Sequence, residues 1–509
     1  MITVCLNEAN FEYDIHSLVK AFYPGEDVKV SADFEKIYEL EQEQEPLFRL
    51  QVSYYGRTET DGKDKVCSRE ETEEDCADKI VFRMLRESAE DTAKTWADFL
   101  NRADTKNRLK QCLYRMLSKH TGKELPWGTL TGIRPTKIAM SMLEQGKTDT
   151  EIRDFMEENY LASRQKIDLS IQIAERERKL LNKIDYRDGY SLYVGIPFCP
   201  SICSYCSFSS SPIGAWEDQV EAYLDALEQE IAFTAQACSQ KKLNTVYIGG
   251  GTPTTLTPKQ LDRLLSKIED SFDFSNLLEY TVEAGRPDSI TREKLCVLRK
   301  HGISRISINP QTMKQETLDV IGRRHTVAQT IESFQLAREL GFDNINMDLI
   351  VGLPGENLDD ARHTMEEISK LSPDNLTVHS LAIKRAAKFA MFPEDYAGMK
   401  MENNWEIIEL TAKYARELGL LPYYLYRQKN MAGNFENVGY AAQGKAGLYN
   451  ILIMEEKQTI LALGAGSISK CVAPGRKIVR CENVKDVAQY IARVDEMIER
   501  KRQLFEDWI

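Results

Sequence analysis

Apolar residues in this chain follow two rhythms, and the chain divides where one gives way to the other. In the first 185 residues, short alternating runs mix with helical spacing. Thr3-Val-Cys-Leu6 and Leu47 through Tyr55 read as strands, and Asp and Gly residues around 61–64 favour a turn. From Lys79 to Lys119, apolar positions recur among Lys, Arg and Glu at a spacing that predicts amphipathic helices. Pro126-Trp-Gly-Thr-Leu-Thr-Gly-Ile-Arg-Pro-Thr-Lys137 interrupts them as a Gly- and Pro-containing loop. Helical spacing then resumes over Ile152–Leu180 as a bridge.

The second rhythm starts at Leu192. Short apolar runs at 192–196, 243–248, 278–283, 304–308, 344–350 and 376–381 predict strands. The intervals Ala215–Ala237, Pro258–Asp270, Ser289–His301, Val327–Leu340 and Asp359–Leu371 predict the helices between them. Strands that alternate with helices pair in parallel, and the six units fit a partial (β/α)6 barrel with its functional loops on one rim. From Ala397 the pattern changes again, with a helix over Glu402–Leu418, the aromatic run Tyr423-Tyr-Leu-Tyr426, a glycine-rich segment and a charged amphipathic helix over Val484–Leu504. The predicted organisation is α/β: a mixed α/β N-terminal extension of more than one packing unit (1–185), a core (186–396), and a C-terminal α/β or mainly helical domain (397–509) covering the substrate. No period of 20–50 residues recurs, which excludes a solenoid.

Composition narrows the class. A chain of 509 residues with 42% hydrophobic and 28% charged residues has the make-up of a folded soluble protein. The formal charge of −13 disfavours general attraction to nucleic acid. The N-terminus lacks a basic segment followed by an apolar signal core, and no apolar run is long enough to span a bilayer, so the expected location is cytoplasmic. The 11 cysteines form no disulfide framework, and Cys5, Cys67, Cys76 and Cys112 read as isolated thiols.

Cys199, Cys203 and Cys206 are different, being three thiols within eight residues. Soft sulfur ligands at this spacing suit an iron-sulfur centre, a zinc site or a redox pair. Gly249-Gly-Gly-Thr-Pro253 follows the run Thr245–Ile248, and the missing side chains allow close backbone approach to a polar ligand. Taken by themselves, Glu283 reads as a surface carboxylate, and Gln311, Arg323 and Asp348 read as buried polar groups that stabilise strand ends through their own hydrogen bonds. Arg134 and Lys137 could meet a carboxylate or phosphate, or stay solvated on a rigid connector. His325 and His379 could move protons but lack a partner at defined spacing, and packing is the default role for both. Cys471 and Cys481 read as structural thiols. Tyr423, Tyr424, Tyr426 and Asn434 either cover a pocket or pack the C-terminal region.

Taken together, these motifs resemble the radical S-adenosylmethionine family, in its oxygen-independent coproporphyrinogen III dehydrogenase branch. The resemblance rests on the cysteine loop with its lead-in Tyr193-Val-Gly-Ile-Pro-Phe198, the glycine run and Glu283, and covers about 190–382. Trp127 through Arg134 and the sequence near Gly433 resemble the HemZ-like subgroup of that branch. It implies one [4Fe-4S] cluster on Cys199, Cys203 and Cys206, with the fourth iron open to S-adenosylmethionine, of which one or two molecules bind. It further implies cofactor contacts from Tyr193, Tyr205, Gly250, Gly251, Thr252, Glu283, Gln311, Arg323 and Asp348, with Tyr193, Glu283 and Arg323 nearest the chemistry.

The implied reaction is radical oxidative decarboxylation of two propionates of coproporphyrinogen III, through a 5'-deoxyadenosyl radical, to the vinyl groups of protoporphyrinogen IX. Arg134 and Lys137 become candidate substrate contacts. A low-potential donor such as flavodoxin or ferredoxin supplies electrons. The alternatives within this resemblance are a haem-binding or haem-transfer protein and, less favoured by charge, a radical RNA-modifying enzyme. Two positions depart from the branch pattern: Phe208 replaces a fourth nearby cysteine, and Gly195 replaces the histidine of Tyr-x-His-Ile-Pro.

Overall fold

The structure is a computed structural model and describes residues 1–56, 78–86, 89–132, 134–428, 431, 435–472 and 477–506. The turn expected near 61–64, Cys67, Cys76 and Asn434 lie outside these residues. The chain forms two compact units, one of Met1–Ile171 with 433–435 and one of Gln172–Ala432 with Glu436–Ile509.

The first unit contains a five-stranded sheet of order β2-β1-β3-β4-β5. Its strands are β1 (Ile2–Leu6), β2 (Val28–Ser31), β3 (Arg49–Tyr55), β4 (Lys79–Arg86) and β5 (Ala89–Trp96). Helices Glu12–Phe22 and Arg102–Thr121 share a core with it, and their Leu18, Val19, Leu113 and Leu117 are buried with Ile2, Val4, Leu50 and Phe82. The strands expected from Thr3–Leu6 and Leu47–Tyr55 are present. The helices expected throughout Lys79–Lys119 are not, since its first half is the antiparallel pair β4–β5 and only the second half is helical. In β4, Ile80, Phe82 and Met84 are buried at every second position, a period of two that puts Arg83 on the open face. Val81 and Leu85 between them also supply helical spacing, so the pattern fits both periods and sheet pairing decides.

The second unit is built on one sheet of order β14-β15-β13-β12-β11-β10-β9-β6-β16-β17-β18, with a small β7–β8 pair beside it. The strands are β6 (Gly189–Ile196), β7 (Phe198–Cys199), β8 (Ser211–Pro212), β9 (Lys242–Gly250), β10 (Glu279–Gly285), β11 (Arg305–Ile308), β12 (Ile345–Val351), β13 (Asn375–Ser380), β14 (Leu421–Tyr426), β15 (Asn437–Ala441), β16 (Thr459–Leu463), β17 (Ile468–Cys471) and β18 (Val479–Glu482). The six strands β6 and β9–β13 are parallel and in sequence order, each at a site named by an apolar run. Helices connect them at the expected intervals: Val220–Ala237, Pro258–Ser271, Arg292–Lys300, Val327–Glu339 and Leu358–Leu371. Local chemistry starts three of these helices, with capping boxes at Thr257/Gln260, Thr326/Gln329 and Asn357/Asp360.

Residues after 396 extend this same sheet at both ends. β15 pairs antiparallel with β13, and β16 pairs parallel with β6. The single helix expected over Val484–Leu504 is two, Val487–Ala492 and Val494–Glu506, with Asp486 capping the first. No helix among the described residues is long and apolar enough to cross a membrane.

Candidate functional site

At the carboxyl ends of the parallel strands, side chains from β9 to β15 and the cysteine loop line one cavity of about 340 Å³. Cys199, Cys203 and Cys206 are free thiols on its wall. Backbone bonds fix their loop: Ser204 N donates to Ile321 O at 2.9 Å, Phe389 N to Ser204 O at 3.2 Å and Cys206 N to Cys203 O at 3.1 Å. The glycine run lies against the same loop. Gly251 N donates to Ile196 O and Thr252 N to Phe198 O, both at 2.7 Å, and Thr252 Oγ1 lies 3.6 Å from Cys199 Sγ. A Cβ on Gly251 would stand 2.5 Å from Phe198 O and 3.0 Å from Cys199 Sγ, and Gly250 has φ of 110°. Both positions need glycine for steric reasons.

Polar side chains face the cavity from successive strands. Tyr247 Oη donates to Glu283 Oε1 at 2.5 Å. Burial, which outweighs the lowering effect of that hydrogen bond, and the nearby Asp348 charge, partly offset by Arg305, together raise the Glu283 carboxyl to about 7. Burial also acts to raise Asp348, but the bonds and charge of His379 and the hydrogen bond from Asn346 (Nδ2 to Oδ1, 2.8 Å) outweigh it and hold Asp348 below its ordinary value. His379 Nε2 is 3.9 Å from Asp348 Oδ1, and its Nδ1 is 3.3 Å from Tyr426 Oη.

Gln311 adopts φ of 71°, a strained conformation for a residue with a side chain. Backbone bonds to Asp348 O and from Ile350 N hold it there, and its Oε1 is buried with no partner. Arg323 donates to Asn309 O at 2.5 Å and to Tyr205 Oη at 2.9 Å, leaving its buried Nε unpartnered.

The expected contacts therefore gather at one place, with Tyr205, Gly250, Gly251, Thr252, Glu283, Gln311, Arg323 and Asp348 all lining the cavity beside the three cysteines. Tyr193 is not among the lining residues; its ring stacks at 6.2 Å on both Tyr247 and Tyr449, behind the wall. Arg134 and Lys137 belong to the first unit, half-buried and exposed respectively, and do not line this cavity. His379 lines it, whereas His325 is buried elsewhere with both ring nitrogens unpartnered and is lowered to about 3 by burial and by the Arg323 charge. Cys471 and Cys481 pack with Leu504 as apolar thiols.

Several lining residues escape sequence reasoning, among them Tyr247, Arg286, Arg305 and Asn346. Tyr247 and Arg305 occupy inward positions of their strands, and a period-two reading anchored on Glu283 would have found them. Gly195 stands at a crowded point, where a side chain would press on its neighbours by a few tenths of an ångström. A Cβ there would meet Leu463 O at 3.3 Å and the Tyr193 ring at 3.4 Å, while its own carbonyl accepts from Tyr223 Oη at 2.6 Å. Phe208 lines the cavity mouth largely exposed, with the Lys384 ammonium 5.9 Å from its ring.

Comparison with known proteins agrees with this geometry. The radical SAM superfamily matches residues 193–368. An oxygen-independent coproporphyrinogen-III oxidase-like protein, HemZ of Bacillus subtilis, is 43% identical over 411 residues, covering 79% of this chain and 82% of that protein. The chain belongs to the radical SAM superfamily, in its coproporphyrinogen-III oxidase-like branch. The heme chaperone HemW of Bacillus subtilis is 40% identical over 200 residues, 39% of this chain and 52% of its own. The solved coproporphyrinogen III oxidase HemN of Escherichia coli is similar over 63% of this chain and 73% of its own, at 24% identity and a TM-score of 0.49.

The superfamily is a class of enzymes that bind a [4Fe-4S] cluster and S-adenosylmethionine. The residues of this radical SAM protein fit those groups by their chemistry. Three soft thiols share one wall, two neighbouring glycines leave room for close approach, and Gln311 Oε1 and Arg323 Nε are buried polar atoms awaiting partners. Among the described residues, no three His, Cys, Asp or Glu side chains already stand close enough to chelate a metal ion, so the fit rests on donor type and on these orphaned atoms.

Proposed function

We propose that this protein is an oxygen-independent coproporphyrinogen III dehydrogenase, converting two propionates of coproporphyrinogen III to the vinyl groups of protoporphyrinogen IX. The observation that carries the reading is the single cavity at the strand ends that joins three thiols to Glu283, Gln311, Arg323 and Asp348. The similarity to HemZ, over four-fifths of that protein, supports the substrate class. On this reading the parallel strands form a partial (β/α)6 barrel, residues 397–509 complete and cover its substrate side, and 1–185 is an appended extension.

Cys199, Cys203 and Cys206 would hold the cluster. Gly250, Gly251 and Thr252 would admit the amino-acid end of one adenosylmethionine, Glu283 would accept from its ammonium group, and Asp348 would accept from its ribose hydroxyls. Gln311 and Arg323 would satisfy their orphaned atoms on the same ligand, with Tyr205 packing about it and Tyr193 supporting the wall through Tyr247. When bound, the cofactor pair supplies one-electron hydrogen-abstraction chemistry. Each propionate would lose one β-hydrogen atom to that chemistry, carbon dioxide to solution and one electron to an external one-electron acceptor, and so become an alkene. The chain's own contribution is to orient the propionate β-carbon and to exclude water. A flavodoxin- or ferredoxin-type donor is the proposed electron source.

The test is an anaerobic reaction of the reconstituted protein with S-adenosylmethionine, a low-potential reductant and coproporphyrinogen III. Substrate-dependent carbon dioxide and protoporphyrinogen are expected. Cofactor cleavage without either product would sink the dehydrogenase reading. Similarity to heme chaperones supports a second reading, haem binding and transfer, which predicts saturable haem uptake and delivery to an apo-acceptor without decarboxylation.

A further inference from the structure

Arg286 follows β10 and faces the cysteine loop, and the reaction scheme above gives it no part. It is 3% exposed and lines the cavity. Its guanidinium is held as a fork: Nε and Nη2 donate to the two carboxylate oxygens of Asp288 at 3.0 and 2.6 Å. The remaining nitrogen, Nη1, turns to the loop. It donates to Ser201 O at 2.9 Å, to Ser201 Oγ at 2.8 Å and, at 3.9 Å, to Cys203 Sγ. Ser201 Oγ in turn donates to Gly322 O at 3.2 Å, tying the loop to the turn before Arg323.

We propose that Arg286, braced by Asp288, is a positioning residue that fixes the cysteine loop through Ser201 and raises the reduction potential of the cluster through its hydrogen bond and charge at Cys203. The inference rests on the reading of the three cysteines as cluster ligands. Reduction of such a cluster adds one negative charge to a largely buried site. A nearby buried cation, and a donor on a ligand sulfur, stabilise the reduced state relative to the oxidised one. The arrangement is directional. A single nitrogen meets the sulfur while Asp288 occupies the other edge of the guanidinium, so the positive end of the pair points at the loop. Arginine is required for this geometry, since a lysine ammonium cannot bond Asp288 in bidentate fashion and reach Ser201 and Cys203 together. Electrostatics also fixes a sign for each partner: Arg286 makes reduction easier, and the Asp288 carboxylate behind it makes reduction harder.

The experiment uses the full-length protein with its cluster reconstituted anaerobically. Iron and sulfide are counted per chain, and the midpoint potential is read by EPR during a dithionite titration without S-adenosylmethionine. Arg286→Met is expected to shift the potential negative by at least a tenfold change in the reduction equilibrium, ~59 mV for one electron. Asp288→Asn, which keeps the cation and neutralises its brace, is expected to shift it positive. Arg286→Lys is expected to fall between wild type and Arg286→Met in potential and to load less iron than wild type. Should Arg286→Met fail to load, the Asp288→Asn and Arg286→Lys shifts still decide the sign. Potentials within error of wild type in variants that load fully, or negative shifts in both the Met and Asn variants, would overturn the proposal. Wild-type protein that takes up no cluster would instead overturn the ligand reading on which it rests.

Discussion

Glu283 carries the clearest functional consequence at the scale of one residue. Its carboxyl, raised to about 7 by burial, is largely neutral at pH 6 and ionised at pH 8. Only the ionised form accepts from an ammonium group without also carrying a proton. If it holds the amino group of S-adenosylmethionine, affinity should rise roughly fivefold from pH 6 to about pH 7.4 as the carboxyl ionises, then fall as the ligand's own α-amino group, of pKa about 7.7–8.0, loses its proton. Calorimetric titration across that range checks this, and Glu283→Gln should bind more weakly with that rise removed. A wild-type profile that lacks the rise would exclude the assignment.

Asp348 gives a complementary case. It stays ionised because hydrogen bonds and the His379 charge overcome its burial, so Asp348→Ala should leave iron content unchanged while weakening cofactor binding roughly ten- to a hundredfold, as loss of charge-assisted bonds implies. Glu283 and Asp348 could be singled out in the sequence because each matches an acid of the radical S-adenosylmethionine family; local pattern alone does not mark Asp348, which lies in the middle of β12. Tyr247 and Arg305 draw no notice by themselves and emerge only when the alternation of β9 and β11 is read from the face that Glu283 marks.

Among the elements, the turn at Gly249–Thr252 ties sequence to chemistry most directly. The close approach of Gly251 to Phe198 O and Cys199 Sγ means that even one methyl group must push the cysteine loop away, and the contact is with backbone, which yields poorly. Gly251→Ala is therefore expected to lower iron bound per chain while the circular dichroism of the fold is retained. Full iron loading in this variant would show that the loop can yield. The six parallel strands were legible within a few residues because strands buried on both faces become continuous apolar runs. β4 was not, because a strand open on one face, with apolar residues on both, satisfies helical spacing as well as alternation. The short helix Gln315–Val320 and the two-residue strands β7 and β8 also escaped, being too brief for any periodicity to register.

At the scale of the whole molecule, the helices Val487–Ala492 and Val494–Glu506 are bound into the second unit around a buried ion pair. Glu230, on the helix Val220–Ala237, and Lys501, on the helix Val494–Glu506, meet at 2.6 Å with both side chains fully buried. The Glu230 carboxylate also accepts from Gly464 N at 2.8 Å, Asn483 Nδ2 at 2.7 Å and Tyr490 Oη at 2.5 Å, and Lys501 donates further to Asn483 Oδ1 at 2.8 Å. One carboxylate thus joins a core helix, the turn after β16, the residue after β18 and both C-terminal helices. Through Gly464 it also braces the backbone beside Gly195, at the entry to the cysteine loop.

Charge pairs of this kind cost most when only one partner is removed, since the other is left buried and uncompensated; the expected loss for Glu230→Ala or Lys501→Ala is about 3–5 kcal/mol. Replacing both with apolar residues of similar length, Glu230→Leu with Lys501→Met, should cost less than either single change, although the orphaned Gly464 N–H and Tyr490 hydroxyl keep it from being neutral. Urea unfolding of the four proteins, followed alongside protease cleavage within residues 487–506, separates the cases. Single variants that unfold at the wild-type midpoint would mean that the C-terminal helices are held by their apolar face alone, through Tyr490, Met497, Leu504 and Phe505.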